Sequence, residues 1–236
     1  MRILRAATHN ICHMGKNPID RTELFPDGSY RNGYAPELTE LMKRLWWEVY
    51  GGFFADLIGL QEYCPWFDLA GTVRTQEQVF APFGYTVTDG GSGLALASRF
   101  PAEHLCEGDF APVSSRRWQK FRVDLGGVPV TVFNCHPMPR RPEIRQQEYA
   151  ILLAEFAKEE TFVAFGDFNA RTAKEYEVFR AAGYAMANHG LVTVENGCMC
   201  DNIVASPNFS FSRIQILDPQ FLLSDHAILL AELTLE

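Results

Sequence analysis

The chain has 236 residues, of which 47% are hydrophobic and 13% aromatic, and its formal net charge is −8. This composition provides enough apolar surface for a large core and excludes a disordered chain. The acidic balance argues against capture of nucleic acid by a broad basic face, although a bound cation and a local arginine cluster can still attract a polyanionic substrate.

The N-terminal sequence and the cysteines predict a cytoplasmic location. The chain begins without a long apolar stretch after its basic residues, and no apolar run approaches the length that spans a membrane. The six cysteines follow neither a disulfide framework nor zinc-site spacing, which favours a reducing compartment. We therefore expect a cytoplasmic monomer without a stable membrane anchor.

The first half of the chain predicts alternating strands and helices. In chain order these are a strand at 3–11 that closes at Asn10, a long polar loop at 13–35, a helix from Pro36 to Gly51-Gly52, a strand at 56–62, a partly helical stretch at 65–83, and strands at 85–87 and 94–98 joined by a turn at 89–93.

The second half continues the alternation. It predicts a hairpin of strands 119–125 and 128–135, a helix at 142–158, a strand at 162–166, a short helix at 173–182, and strands at 201–205 and 228–235. No linker or repeat interrupts the chain. We therefore expect one α/β domain over residues 1–236, with two packed sheets covered by helices.

Five polar clusters lie at the ends of strand-like runs. They are Thr8-His9-Asn10, Gln61-Glu62, Asn134-Cys135-His136, Gly166-Asp167-Phe168-Asn169 and Ser224-Asp225-His226. Strands can deliver such acids, amides and imidazoles to one edge of a sheet. Carboxylate and amide oxygens suit a hard cation such as Mg²⁺ better than zinc. The pattern indicates metal-assisted phosphoester hydrolysis.

Asp167, Asn169 and Glu62 are candidate members of such a site, although for Asp167 and Asn169 taken alone the structural alternative would be favoured. Asp167 can take a proton from water, and Asn169 can orient the water or hold a phosphoryl oxygen. The alternative is an ordinary turn after a strand, since Asp, Asn and Gly dominate turns. Glu62 leaves a buried strand, which is costly unless the carboxylate is paired or binds a metal.

Two histidines and two aspartates have both a catalytic and a structural interpretation. Asp225 suits a metal ligand, and His226 can stabilise charge that develops at phosphorus, with Asp201 fixing its tautomer. His136 could protonate a leaving oxygen beside a phosphate. The alternatives are a capping Asp225, a surface His226, a turn Asp201 and a structural His136.

Two arginine groups are candidates for phosphate recognition. Arg140, Arg141 and Arg145 lie near the start of the predicted helix, and Arg116 and Arg117 precede the hairpin. The alternative for the first group is a solvated helix N-terminus. For Arg141, phosphate recognition and a solvated helix terminus are equally favoured. For Arg140, phosphate recognition is less favoured.

Together, and in this order, the motifs resemble the endonuclease/exonuclease/phosphatase superfamily. These metal-dependent phosphoesterases include deoxyribonucleases, abasic-site endonucleases, sphingomyelinases and inositol-phosphate phosphatases. The resemblance runs from Thr8 to about Leu230 and is carried by the segments 8–11, 55–62, 93–101, 134–136, 145–147, 166–169, 200–203 and 224–226.

The resemblance implies a four-layer α/β/β/α sandwich with the site at one end of the two sheets. It also implies a role for each matching residue. Asn10 and Glu62 would bind Mg²⁺ or Mn²⁺ with Asp225 close to the metal, Asp167 would activate water, Asn169 would hold the phosphoryl group, Asp201 would orient His226, and His136 would contact phosphate or act as an acid.

The sequence departs from the family pattern at three points, one of which is a longer region between Asn10 and Glu62 that contains the loop at 13–35. Pro137 follows His136 where the family usually has a leucine or similar residue, which suggests a different path for that loop. No tyrosine matches the one that abasic-site nucleases place near the phosphate, so DNA repair is disfavoured.

We therefore predict a Mg²⁺-dependent phosphodiesterase. The substrate alternatives are a small phosphodiester, a phospholipid head group and nucleic acid, and the acidic charge favours a small phosphoester. A non-catalytic, metal-binding interaction module on the same scaffold is the alternative from another class.

Overall fold

A computed structural model describes residues 2–12, 36–65 and 74–236, with side chains of the first helix from residue 44 onward. In these ranges the strands are β1 Arg2–Asn10, β2 Leu57–Gln61, β3 Thr86–Gly91, β4 Leu94–Ser98, β5 Ala102–Asp109, β6 Arg117–Asp124, β7 Pro129–Cys135, β8 Phe162–Asp167, β9 Ala185–Met186, β10 Asp201–Ala205, β11 Phe209–Leu217 and β12 Ile228–Leu235. The α-helices are α1 Pro36–Gly51, α2 Pro142–Phe156 and α3 Glu177–Ala181. Short helical turns of other types cover Gln76–Phe80, Ala81–Phe83 and Ala173–Tyr176.

The strands form two mixed six-stranded sheets. Sheet 1 has the order β11-β12-β1-β2-β4-β3, and sheet 2 has the order β5-β6-β7-β8-β10-β9. One pair in each sheet is parallel, β1 with β2 and β7 with β8. The other neighbours are antiparallel.

The two sheets pack face to face through a buried apolar layer. Leu57 and Leu96 of sheet 1 and Val132 and Phe165 of sheet 2 belong to this layer. The approach is close at Gly59, where an added Cβ would lie 2.3 Å from Phe165 Cδ2. A glycine at this position therefore lets a phenylalanine of sheet 2 rest directly on the backbone of sheet 1.

Helices cover the outer face of each sheet. Trp46 and Tyr50 of α1 pack over sheet 1 in a cluster that includes Ile58. Tyr149 and Phe156 of α2 pack over sheet 2 in a separate cluster of buried aromatic and aliphatic side chains. The order of layers is helix, sheet, sheet, helix, which confirms the expected α/β/β/α sandwich.

We expect Gly59→Ala to lower the free energy of unfolding by about 1–3 kcal/mol, because the added methyl overpacks the inter-sheet layer. Denaturant unfolding of the wild type, Gly59→Ala, Phe165→Leu and the double variant would measure the effect. The double variant should lose less than the two single losses added together, since Phe165→Leu removes the clashing ring. Strict additivity would contradict this account of Gly59.

Most predicted elements are confirmed, with ends shifted by a few residues. The strands predicted at 201–205 and 228–235 coincide with β10 and β12, and the helix predicted at 142–158 ends at Phe156. The short helix predicted at 173–182 is divided into a 3-10 turn and α3. The polar loop predicted at 13–35 and residues 66–73 of the helical stretch lie outside the described residues.

Three strands were not predicted, namely β5, β9 and β11. Each is an edge strand of its sheet. An edge strand is exposed along one side and in places on both faces, so its apolar pattern is weak. Within the described ranges, no helix combines the length and the apolarity needed to cross a membrane.

Candidate active site

Strand ends from both sheets bring five predicted site residues to one end of the sandwich. Asn10 and Glu62 emerge together because β1 and β2 are parallel. His136 and Asp167 likewise leave sheet 2 at the same edge, since β7 and β8 are parallel. Asp201 begins the antiparallel β10 and pairs with Asp167. The topology alone therefore gathers residues that are distant in sequence.

Asp167 is the centre of this group and is 2% exposed. Its Oδ2 lies 3.1 Å from Asn10 Nδ2, 3.4 Å from His136 Nε2 and 3.7 Å from His226 Nε2. Its Oδ1 accepts the backbone N–H of Asn169 at 2.8 Å. Burial acts to raise the pKa of Asp167, but the charge of His226, together with hydrogen bonds from Asn10 and the Asn169 N–H, outweighs it and lowers the pKa. The carboxylate is therefore ionised at neutral pH.

His226 is paired with the buried Asp201. The Nδ1–H of His226 donates to Asp201 Oδ2 at 2.8 Å. Burial alone would lower the pKa of His226, but the carboxylates of Asp201 and Asp167 raise it to about 10. His226 is therefore an imidazolium whose second N–H, on Nε2, faces Asp167. This geometry is compatible with the expected orienting role of Asp201.

His136 is buried and neutral. Burial lowers its pKa, and the charge of Arg116 adds to that effect. Arg116 Nη1 lies 3.4 Å from His136 Nδ1. A guanidinium can only donate, so Nδ1 is the acceptor and Nε2 carries the hydrogen. The Nε2–H points toward Asp167 Oδ2 and lies 4.0 Å from Glu62 Oε1. This tautomer suits a hydrogen-bond donor to phosphate better than an acid.

Glu62 and Asn10 offer oxygen atoms at the open side of the site. The Glu62 side chain is 30% exposed, and its backbone is held at φ 51°, a left-handed conformation that costs free energy for a non-glycine residue. Asn10 Nδ2 donates to Glu62 Oε1 at 3.3 Å, and its Oδ1 accepts the Cys12 N–H at 3.0 Å. The carboxylate fits Mg²⁺ or Mn²⁺ directly. Asn10 would have to turn its amide to present oxygen to an ion beside Glu62.

Asp225 is half-buried and lies on the His226 side of the site. Its neighbour Ser224 donates to the Asn10 carbonyl at 2.7 Å and accepts the His226 N–H at 3.2 Å. Ser224 thereby fixes the segment before β12 against the end of β1. The Asp225 charge also contributes to the raised pKa of His226. Its placement is compatible with the expected position near a metal.

A second group of residues has metal-ligand atoms that lie close enough together to bind a cation. Those of Asp167, Asp201 and His226 all lie within 4.8 Å of one another. Two features argue against an ion among them. The Nδ1–H of His226 is already bonded to Asp201. All three residues are buried, whereas the Glu62 side chain is 30% exposed.

Asn169, two residues after the end of β8, adopts φ 56°. Its Nδ2 donates to the Pro137 carbonyl at 2.9 Å, which ties the loop after β8 to the loop after β7. An amide NH₂ carries two hydrogens, so this contact uses only one of them. The Pro137 loop, for which a different path was expected, is thus anchored to the residue predicted to hold the phosphoryl group.

Buried amides join the two sheets directly beneath the site. Asn134 of sheet 2 accepts a hydrogen bond from Gln61 Nε2 at 2.7 Å. Its own Nδ2 donates to the carbonyls of Leu60 and Ala95 in sheet 1, both at 2.9 Å. These bonds span the sandwich where the strands end. They fix the spacing between the site residues of sheet 1 and those of sheet 2.

The structure contradicts the predicted substrate contact of Arg145. The residue lies on α2 and is 0% exposed. Its Nη1 donates to the carbonyls of Met138 at 3.0 Å and Pro139 at 3.3 Å, and its Nε donates to Glu175 at 3.1 Å. The helix turns this side chain inward, so Arg145 supports the loop after His136 and cannot reach a substrate.

The other predicted arginines have different placements. Arg141 is exposed immediately before α2, and no described contact joins it to the cluster around Asp167. Arg117 is exposed, with Nη1 3.3 Å from Glu107 Oε2. Together with Arg116 and His136 it lines a cavity of about 410 Å³. The second arginine group therefore lies beside the site, and Arg141 stays a prediction.

Sequence reasoning missed the buried Glu148 of α2. Its carboxylate accepts the Met138 N–H at 2.7 Å and the Ser114 hydroxyl. Ser114 Oγ in turn accepts the Arg116 N–H at 3.1 Å. Glu148 thus holds the loop after His136 and the loop that carries Arg116. Its spacing of three residues from Arg145 was a signal that both lie on one helix face.

The sequence and the fold match known proteins. Residues 7–226 match the family model described as Endonuclease/Exonuclease/phosphatase family. None of the curated proteins compared with the chain matches it. A Bacteroides vulgatus endonuclease/exonuclease/phosphatase structure shares 20% identity over 100% of both chains, with a TM-score of 0.66.

Two further similar structures contain bound ligands. TDP2 from D. rerio, complexed with single strand DNA product, shares 15% identity over 98% of this chain and 99% of its own, with a TM-score of 0.63. ANGEL2, a 2′,3′-cyclic phosphatase in complex with adenosine-2′,3′-vanadate, shares 16% identity over 100% and 96%, with a TM-score of 0.66. At these identities the likeness shows the fold alone. Because the family model spans most of the sequence, the chain belongs to the endonuclease/exonuclease/phosphatase family.

Proposed function

We propose that the protein is a Mg²⁺- or Mn²⁺-dependent phosphodiesterase that hydrolyses its substrate by in-line attack of water. The observation that carries the proposal is the surrounding of Asp167 Oδ2 by Asn10, His136 and His226, each from a different segment. The single strand DNA product bound to TDP2 and the cyclic phosphate chemistry of ANGEL2 support a phosphoester as the substrate class.

Asp167 is the proposed base. Its carboxylate is ionised, and Asn10 and the Asn169 N–H hold both of its oxygens in position. A water that donates to Asp167 would be aligned for attack at phosphorus, and the carboxylate would take its proton as the new P–O bond forms and the P–O bond to the leaving group opposite it breaks. Asn10 and Asn169 lie at or just after the ends of strands, so these two donors are in position before substrate binds.

Two imidazoles would meet the charge that develops on phosphorus. The His226 imidazolium, oriented by Asp201, offers its Nε2–H from the side of sheet 1. Neutral His136 offers its Nε2–H from the side of sheet 2. Asn169 supplies a further amide hydrogen for the phosphoryl group. Such preorganised donors stabilise a transition state without reorganising at the moment of reaction.

Glu62 would hold the cation, with Asn10 and Asp225 completing its protein neighbourhood. When bound, a divalent ion polarises a phosphoryl oxygen and offsets negative charge at the reacting centre. Glu62 lies beside the Nε2–H of His136, so the ion and the imidazole would act on the same phosphate.

Hydrolysis of bis-(p-nitrophenyl) phosphate in EDTA, Mg²⁺ and Mn²⁺ tests the proposal. We expect turnover only with a divalent ion, and we expect Glu62→Gln to need a higher ion concentration for half-maximal rate, because the amide has lost the carboxylate charge. Glu103→Gln, which changes an exposed glutamate on β5, is the matched control and should behave as the wild type.

Two results would contradict the proposal. Turnover that persists in EDTA would show that hydrolysis does not need a divalent ion. A metal-dependent rise in melting temperature without hydrolysis of any diester would favour the non-catalytic metal-binding module instead.

A further inference from the structure

We propose that the cavity beside His136 is a second anion subsite, which binds a phosphate group that the substrate carries next to the phosphodiester to be cleaved. The inference rests on the proposed function and narrows its substrate class. It favours a substrate with two phosphates over a lipid head group that carries a cation.

The lining of the cavity is polar and basic. Its volume of about 410 Å³ is within the usual range for small-ligand sites and suits a group the size of a sugar phosphate. Among the described residues, its lining comprises two arginines, two serines, one histidine and one leucine. The lining residues are Ser92, Leu94, Ser115, Arg116, Arg117 and His136.

Arg116 is held in place before any ligand binds. Its backbone N–H donates to Ser114 Oγ, and Ser114 is in turn bonded to the buried Glu148. Its Nη1 rests against His136 Nδ1 at 3.4 Å. A guanidinium fixed in this way presents its remaining N–H groups at little further cost in conformational entropy.

Arg117 is the adaptable partner. Its side chain is 47% exposed, and its contact with Glu107 is a surface ion pair at 3.3 Å. Such pairs contribute little to stability, so a phosphate can draw the guanidinium away from Glu107. The two neighbouring arginines could then donate hydrogen bonds to one phosphate from two sides.

The cavity adjoins the reacting centre at His136. His136 contacts Arg116 through Nδ1 and faces Asp167 through Nε2 at 3.4 Å. A phosphate in the cavity is therefore separated from the proposed scissile phosphate by about one imidazole. A group so close belongs to the same substrate molecule.

The same lining disfavours a quaternary ammonium group. Proteins bind such cations on aromatic faces. Among the described residues that line the cavity there is no phenylalanine, tyrosine or tryptophan, and two residues are cationic. A choline head group would meet repulsion where a phosphate meets attraction.

Matched substrates test the subsite. We expect kcat/KM for thymidylyl-thymidine carrying a terminal 5′- or 3′-phosphate to exceed that for the unphosphorylated dinucleotide by about tenfold or more, the scale of a charge-assisted contact. Glycerophosphoinositol with and without a ring phosphate forms a second pair, which distinguishes a nucleotide from an inositol phosphate as the source. p-Nitrophenyl phosphorylcholine is the cationic comparison and should be the poorest substrate.

The preference for the phosphorylated member should fall toward one in Arg116→Gln and in Arg117→Gln. Arg122→Gln is the matched control, because this exposed arginine lies on the same strand as Arg117 but away from the cavity, and it should keep the preference. Equal kcat/KM within both pairs, or a preference unchanged in both cavity variants, would overturn the subsite alone. A wild type that cleaves no diester with any metal would overturn the proposed function and the subsite with it.

Discussion

Replacing Asp167 with Asn should lower turnover of bis-(p-nitrophenyl) phosphate by ~10² or more at saturating Mg²⁺, the scale expected for loss of a positioned base. The amide keeps the size of the side chain, and its oxygen can still accept the Asn169 N–H, while its NH₂ takes the place of Oδ2 beside Asn10, His136 and His226. What it lacks is the negative charge that accepts a proton from water. A steady-state comparison of kcat at several Mg²⁺ concentrations would measure the loss.

Asp124→Asn is the matched control for the Asp167 substitution. Asp124 is exposed in the hairpin between β6 and β7, and an asparagine there can still accept the Gly127 N–H. Its turnover should equal that of the wild type. An Asp167→Asn variant that keeps more than about a tenth of the wild-type rate would show that another group is the base.

His226→Gln provides an independent check on the same cluster. Asp167 and His226 face each other at 3.7 Å and would act on one transition state. Residues that act as a unit give non-additive losses. The Asp167→Asn/His226→Gln double variant should therefore be hardly slower than the slower single variant, and fully multiplicative losses would separate the two roles.

The central strands could be predicted from sequence because both of their faces are buried. β2, β8 and β10 lie inside their sheets, and every residue in them is buried, so they read as short apolar runs. β5 and β11 were missed because they lie at sheet edges, where charged and polar residues interrupt the pattern. Edge strands owe their conformation to a neighbour that local sequence does not reveal.

The site was predictable to the extent that its residues lie at strand ends. Asp167, His136 and Asp201 follow directly from the apolar runs that precede or follow them, and parallel pairing brings two of those ends together. The contacts between Arg116 and His136, and between Glu148 and Ser114, join segments 20 and 34 residues apart. Such contacts depend on loop paths, which periodicity does not specify.

Arg145 shows why proximity in sequence to a candidate acid is a weak guide to substrate binding. Arg141 and Arg145 are both near His136 along the chain, but a helix begins between them. The first arginine precedes the helix and stays in solvent. The second lies on the inward face of the helix. A charged residue at such a buried position can be recognised only once its ion-pair partner, Glu175, is known.

Removing Glu175 should therefore destabilise the fold more than removing Arg145 itself. In Glu175→Ala the fully buried guanidinium loses its carboxylate, which should cost about 3–5 kcal/mol of unfolding free energy. Arg145→Met should cost less, because it removes the buried charge and its stem volume is largely kept. Denaturant unfolding of both variants and of the double variant would measure this order.

The double variant decides between a structural and a substrate role for Arg145. If the pair is structural, Arg145→Met/Glu175→Ala should be more stable than Glu175→Ala alone, since no charge is left buried without a partner. Arg141→Met, at an exposed position, should change stability by less than about 0.5 kcal/mol. If Arg145 bound substrate instead, Arg145→Met would raise KM and leave the unfolding free energy of the protein as it is. The buried contacts of its guanidinium with Glu175, Met138 and Pro139 predict the loss of stability.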